Sequence, residues 1–248
     1  MESQKGLRHI CLNRTNKQRN VHSRGDKVER YCDLNEISDG KLYKAEDWVK
    51  AGSNGCKGCS KCCQTVGDSI VLDPFDVYEL TSHMGITIQE LLAEKLELHV
   101  VDGLILPNIK TENEQGGCGF LSEEGRCTIH SFRPGFCRMF PFGRYYENDS
   151  FHYILQVDQC PYPDKNKVQI GQWIGIIELK KYEQYICDWH YFLLPLQKKI
   201  KVGVEEALLK QMNMYILQMF FFLPYDTNND FYSQFYSRLS KAKKEIHY

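Results

Sequence analysis

Cys56, Cys59, Cys62 and Cys63 fall within eight residues as CxxCxxCC, and four further cysteines follow at Cys118, Cys127, Cys137 and Cys160. Four sulfurs in so short a loop are not ordinary packing. Closely spaced thiolates repel, and only a thiophilic ion or an iron–sulfur cluster turns them into shared ligands. A disulfide framework fits poorly, because the cysteine total is an odd eleven, Cys62 and Cys63 are adjacent, and the N-terminus carries no apolar run of signal-peptide type. Reduced, metal-ligating thiols and residence in the cytoplasm are the expectation.

With 248 residues the chain is long enough to bury a core in one large or two small domains. A net charge of -1 argues against a dedicated nucleic-acid binder. The most apolar run, Met219 to Leu223, is far too short to span a bilayer, so no membrane partner is expected. Residues 1–30 differ from the rest, with eight basic side chains against three acidic ones and few large apolar residues. Residues 1–40 read as a flexible basic tail. An arm that grips an acidic partner or RNA is its functional alternative. Cys11 and Cys32, in or near it, read as free thiols.

The next stretch, 41–165, reads as a cysteine-cluster metal-binding domain. Tyr43 to Ala51 suggests a short helix ending at Gly52. Ile70 to Leu72 suggests a short strand, Asp73 caps a helix whose first residue is Pro74 and which Gly85 ends, and Thr87 with Glu90 is a capping box. Glu97 to Val101 and Leu104 to Ile109 flank Asp102-Gly103, a strong hairpin signal. A second turn at Glu123-Glu124-Gly125 would bring Cys118 and Cys127 toward one another at low entropic cost. Pro134 and Pro141 bracket a turn or helical segment around Cys137, and Asn148-Asp149 turns a third hairpin. Residues 166–248 read as a helical C-terminal region. Leu179, Tyr182, Ile186, Trp189, Leu193 and Leu196 recur at helical steps, as do Val204, Leu208, Met212, Tyr215, Met219 and Leu223, and both stripes are read as core. A last helix is expected from about Asp230 to Ile246. The fold class is α+β, with short antiparallel hairpins around the cysteines packed with the helical part.

Metal identity stays open by counting, because structural zinc and a [4Fe–4S] cluster each take four ligands. The spacing leans toward iron–sulfur, since Cys56, Cys59 and Cys62 form CxxCxxC and Cys160 is a remote cysteine followed by proline, whereas zinc ribbons supply two CxxC pairs. CxxCxxCC, then CGFLSEEGRCTIHSFRPGFCRMFPF from Cys118 to Phe142, then Cys160, together resemble the cysteine-cluster family of zinc- or iron-chelating proteins, the YkgJ type, which includes the flagellin lysine N-methylases. The resemblance spans roughly residues 50–165. It implies a metal site held by Cys56, Cys59, Cys62, Cys63, Cys118, Cys127, Cys137 and Cys160. Membership does not settle activity: the family's methylases make methyl transfer to a protein lysine, with S-adenosylmethionine as cofactor and a protein as substrate, one activity open to the chain. The chain shows no glycine-rich turn after a strand of the doubly wound type that binds that cofactor, and it lacks the CxxxCxxC of radical S-adenosylmethionine enzymes.

Arg133 and Arg138 bracket Cys137 and are read as cofactor-binding residues, their N–H donors aimed at sulfur or at a carboxylate. A surface salt bridge is the plain alternative. His130 is a substitute ligand or a structural residue. No acid, base or nucleophile constellation stands out beyond the cysteines, so catalytic residues are not assigned. Two function classes follow: an enzyme with a methyl-transfer or redox centre beside the metal, and a non-catalytic zinc-stabilised binding or structural protein.

Overall fold

A computed structural model describes residues 34–52, 59–64, 69–111, 117–160, 162 and 164–246. Residues 1–33 of the basic tail, with Cys11 and Cys32, and Cys56 lie outside the described residues, while the end of the tail carries the helical turn Leu34–Ile37 and Ser38, which bridges to Gln156. In chain order come α1 (Leu34–Ile37), β1 (Trp48–Gly52), α2 (Lys61–Gln64), α3 (Pro74–Met84) and α4 (Ile88–Glu94). A hairpin, β2 (Leu96–Val101) and β3 (Leu104–Ile109), follows, then α5 (Gly135–Met139) and a second hairpin, β4 (Phe142–Glu147) and β5 (Ser150–Leu155). After β6 (Asn166–Gln169) the chain is helical, through α6 (Ile170–Ile174), α7 (Leu179–Val202), α8 (Glu206–Leu217) and α9 (Phe231–Glu245). The architecture is α+β, as the sequence patterns indicate. None of the described helices is long and apolar enough to cross a membrane.

The described residues form two compact units, each assembled from two separated stretches: those of 34–52 with 139–174, and those of 59–138 with 175–246. In the first unit, β1 pairs antiparallel with β6, Trp48 opposite Gln169 and Gly52 opposite Asn166. The helix expected over Tyr43 to Ala51 is therefore not formed. The alternation explains why: Val49 and Ala51 are buried while Trp48 and Lys50 are exposed, a period of two that serves a half-buried strand. β4 and β5 pair from Phe142 opposite Leu155 to Glu147 opposite Ser150. Asn148 and Asp149 turn this hairpin at φ of 49° and 55°, the left-handed pair that a two-residue type I′ loop demands. Tyr43 and Tyr153 exchange backbone hydrogen bonds of 2.8 Å, laying a third segment on the outer edge of β5. Tyr153, Ile154 and Phe142 form the centre of this unit.

In the second unit the sequence signals act locally, as expected. Asp73 accepts from the Asp76 amide at 3.0 Å and Asp76 returns the bond to the Asp73 amide at 3.1 Å, a capping box that opens α3 at Pro74. Gly85, at φ 67°, ends α3. Thr87 and Glu90 open α4 in the same reciprocal way. Asp102 and Gly103 both take positive φ at the β2–β3 turn, and Ile200 of α7 packs against Gly103 too closely to leave room for a side chain. The short strand expected at Ile70 to Leu72 is a single bridge, Val71 to Asn108 on β3.

The core of the second unit is aromatic. Phe75 lies 5.9 Å from Tyr232 in a stacked pair, Tyr185 meets Phe235 edge-on at 4.6 Å, and Trp189 sits 4.9 Å from Phe220. Such pairs add about 0.5–1.5 kcal/mol each to the burial of the rings. The first helical stripe is core from Tyr182 onward, with Tyr182, Ile186, Trp189, Leu193 and Leu196 buried and Leu179, at the start of α7, half-buried. The second is corrected by the structure: Leu208 and Leu223 are exposed, and the buried face runs through Met212, Ile216, Leu217, Phe220 and Phe221. Leu208 lies in the exposed first turn of α8, and Leu223 lies just beyond the π turn at Gln218–Phe222 that ends it. Arg238 satisfies the carbonyls left over there, donating to Met219, Leu223 and Pro224 at 2.7–3.1 Å while its guanidinium covers the Tyr225 ring.

Candidate metal centre

Cys62 and Cys63 stand on α2, a single turn begun by the Ser60 carbonyl, which accepts from the Cys63 amide at 2.9 Å. Their sulfurs are 3.9 Å apart. The next motif is bound to this turn by backbone: the Cys118 amide donates to the Cys63 carbonyl at 2.8 Å. Cys118 also bridges to Thr111, just past β3, so its buried thiol is fixed from two sides.

From Cys118 to Cys127 the chain makes the tight turn expected at Glu123 to Gly125, with Ser122 and Arg126 joined at 2.8 Å, Gly125 at φ 71°, and Leu121 bridged to Cys127. The two cysteines share a local device. The Phe120 amide points at the Cys118 sulfur at 3.5 Å, and the Ile129 amide donates to the Cys127 sulfur. An N–H two residues on, aimed at sulfur, favours the thiolate and orients it for a cation.

Cys137 lies in α5, half-buried. Burial pushes its thiol well up, and the sulfurs of Cys118, Cys127 and Cys62 and the Asp76 carboxylate add to that. Cys63 is raised by the adjoining Cys62 thiol, then by burial, then by the charges of Cys62, Cys137 and Cys118. Cys127 is raised by burial, against which the Ile129 amide and the Arg133 guanidinium work in the other direction. Cys62, Cys63, Cys118, Cys127 and Cys137 thus sit in one neighbourhood of the second unit, close enough to oppose one another's ionisation. Cys59, half-buried, directly precedes α2 in the same unit. Cys160 belongs to the first unit.

The donor set fits a thiophilic metal. Two sulfurs 3.9 Å apart match the edge of about 3.8 Å that a tetrahedral tetrathiolate with zinc–sulfur bonds near 2.3 Å requires. Crowded thiols of raised pKa keep their protons until a cation displaces them, which is how metal uptake becomes folding energy. Among the described residues no three such side chains are already drawn in to metal-bonding geometry, so binding would have to close the sulfurs further.

The two arginines differ. Arg133 donates to the His130 carbonyl at 2.8 Å and lies 3.0 Å from its Nε2, while its charge reaches Cys127. Arg138 donates to the Ser131 carbonyl at 2.9 Å and pairs with Glu79 at 3.8 Å, the salt-bridge arrangement. His130 is lowered by burial and then by these two guanidinium groups.

Sequence reasoning missed α3 as the support of this centre. Asp76, Glu79 and His83 form one face of it, at spacings of three and four. Asp76 accepts from the Gly135 amide at 2.7 Å, Glu79 pairs with Arg138, and His83 stacks on Phe132 with ring centres 4.8 Å apart. The only local signal was Asp at the third helical position, which a capping box already explains.

No curated protein and no solved structure matches the chain. Residues 55–161 match the family model described as "CxxCxxCC: Putative zinc- or iron-chelating domain". That stretch runs from just before Cys56 to just after Cys160 and holds every cysteine of the motif set. Residues 55–161 are thus similar to the CxxCxxCC domain, the family that the cysteine spacing resembles.

Proposed function

We propose that this chain chelates a metal through thiolates of the second unit, with Cys62, Cys63, Cys118, Cys127 and Cys137 as the core ligand set. The observation that supports the reading is the Cys62–Cys63 sulfur pair, 3.9 Å apart, with Cys118 brought alongside by the bond from its amide to the Cys63 carbonyl at 2.8 Å. Cys56, Cys59 and Cys160 join the set by the motif alone. Arg133 supports the thiolate charge at Cys127, and Arg138 holds the segment that carries Cys137.

An iron–sulfur cluster is the preferred occupant on the CxxCxxC spacing and the remote Cys160-Pro161. Zinc is the second reading, favoured by the 3.9 Å sulfur pair. Anaerobic purification followed by iron, sulfide and zinc analysis, with visible and EPR spectra, decides between them. Stoichiometric iron and sulfide with a brown chromophore is expected; a colourless protein holding zinc and no iron would sink the cluster. When bound, a cluster supplies a redox centre and zinc a structural cross-link.

Methyl transfer to a protein lysine, with S-adenosylmethionine as donor, is the catalytic form of the proposal and rests on the resemblance to the flagellin lysine N-methylases. Its test is transfer of labelled methyl from S-adenosylmethionine to a lysine-bearing protein under reducing conditions. No transfer and no binding of that cofactor would leave the non-catalytic metal protein as the answer.

A further inference from the structure

We propose that Asp76 is the positioning residue of the metal centre: its buried carboxylate, held in α3, fixes the Pro134-Gly135 turn and so sets where the Cys137 sulfur points. The inference rests on the thiolate reading above and concerns how that site is built.

Asp76 is 3 % exposed, and each of its oxygens has a defined task. Oδ2 accepts from the Asp73 amide at 3.1 Å, closing the capping box, and Oδ1 accepts from the Gly135 amide at 2.7 Å, across 59 residues of sequence. The Gly135 amide is a free donor by position, because the first N–H groups of a helix have no partner within it. A charged acceptor makes that bond strong, and its partner lies two residues before Cys137. Above Gly135 sits the Tyr182 hydroxyl of α7, so close that any Cβ at that position would overlap it. The turn is thus gripped by an anion on one side and a tyrosine on the other.

The grip is itself anchored. Asp73 accepts from the Tyr185 hydroxyl at 3.0 Å, and that same hydroxyl accepts from the Phe75 amide at 2.9 Å, tying the start of α3 to the middle of α7. Burying a carboxylate is unfavourable unless hydrogen bonds offset it. A helix cap alone does not require such burial, since Thr87 and Glu90 cap α4 from an exposed position. What burial at Asp76 adds is the bond to Gly135. Seen from the cysteines, Asp76 converts a flexible Pro-Gly turn into a fixed arm of the site. Seen from the helices, it makes metal uptake at Cys137 felt by α3 and α7.

The test uses the full-length reduced chain, loaded with cobalt(II) and read in two ways: sulfur-to-cobalt charge-transfer absorbance, and the rate at which each cysteine is alkylated, followed by mass spectrometry. In the wild type, cobalt is expected to protect Cys137. In Asp76→Ala, Cys137 is expected to be alkylated at least tenfold faster with cobalt present and the charge-transfer intensity to fall, while Cys62 and Cys63 stay protected. Asp73→Ala removes the cap and the Tyr185 bond but leaves the Gly135 bond, so its cobalt spectrum should match the wild type. Should Asp76→Ala fail to fold, Asp76→Glu answers the question, since Glu is a natural capping-box partner at that position but displaces the oxygen from Gly135. It should expose Cys137 in the same way. An Asp76 variant that folds, binds cobalt and keeps Cys137 protected would overturn this proposal alone. A wild type that takes up no cobalt, zinc or iron would overturn the thiolate reading beneath it.

Discussion

Two regions of the second unit are built on opposite principles. Around Phe75, Tyr185, Trp189, Phe220 and Phe235 the helices bury rings against rings, and every contact is complete without a ligand. Around Cys62, Cys63, Cys118, Cys127 and Cys137 the side chains turned inward are thiols that oppose each other's ionisation, with short turns and one-turn helices behind them. The first region is held by area removed from water and the second, on the thiolate reading, by bonds to a metal. Stability in such a chain is divided, with one part owed to packing and one part conditional on a cation.

The largest effect should come from the packed side. Phe235 is fully buried and meets Tyr185, Trp189 and Phe220, so Phe235→Ala should cost about 3–5 kcal/mol in a denaturant melt followed by far-UV circular dichroism. The loss should be the same with and without metal. A cost that vanished on metal loading would show that the two regions are not separate in the way their side chains imply.

Removing metal should strike the other side. With metal present at a hundred times its dissociation constant, stripping it should cost about 2.7 kcal/mol of stability. Hydrogen exchange locates the loss: the Cys118 amide on the Cys63 carbonyl and the Phe120 amide at the Cys118 sulfur should lose protection first, while the amides of α7 keep theirs. Uniform loss across α7 would mean that the aromatic layer is not self-sufficient.

Much of this was legible in the sequence where the cause is local. The turns at Asp102-Gly103 and Asn148-Asp149 and the caps at Asp73 and Thr87 are written in residues a few positions apart, and the structure forms them as read. β1 was misread because its partner, β6, lies more than a hundred residues away, and a four- or five-residue strand carries too short an alternation to announce itself. The cysteine spacing pointed to a shared site, but not to the backbone bond from Cys118 to Cys63 that brings two motifs side by side. Asp76 was hidden for a related reason: its capping role is local, while its bond to Gly135 exists only after α3 and α5 meet.

Gly135 is where the two regions touch, and it offers a smaller effect of mixed origin. Gly135→Ala drives a methyl into the Tyr182 hydroxyl, an overpacking expected to cost about 1–3 kcal/mol. Tyr182→Phe removes the obstructing oxygen, so the double variant should recover part of the loss in a thermal melt. Additive costs in the double-mutant cycle would mean that the clash is relieved elsewhere.

The smallest effect lies away from both regions and calibrates them. Glu90 accepts from the Thr87 amide and hydroxyl at 2.7 Å, and these bonds hold its carboxyl below the usual range although it is exposed. A carboxyl lowered by folding stabilises the fold above its unfolded pKa, and that contribution fades as pH falls through the folded value. Glu90→Gln should therefore be less stable than the wild type at neutral pH, and the difference should close on acidification below the ordinary glutamate range. Screening by water and salt keeps the difference small. An NMR titration of the Glu90 side chain checks the direction independently. A difference that persisted at low pH would place the stabilising contact in the neutral side chain rather than in its charge. The Asp73–Asp76 box would then need the same correction before its variants could be read as reports on the metal centre.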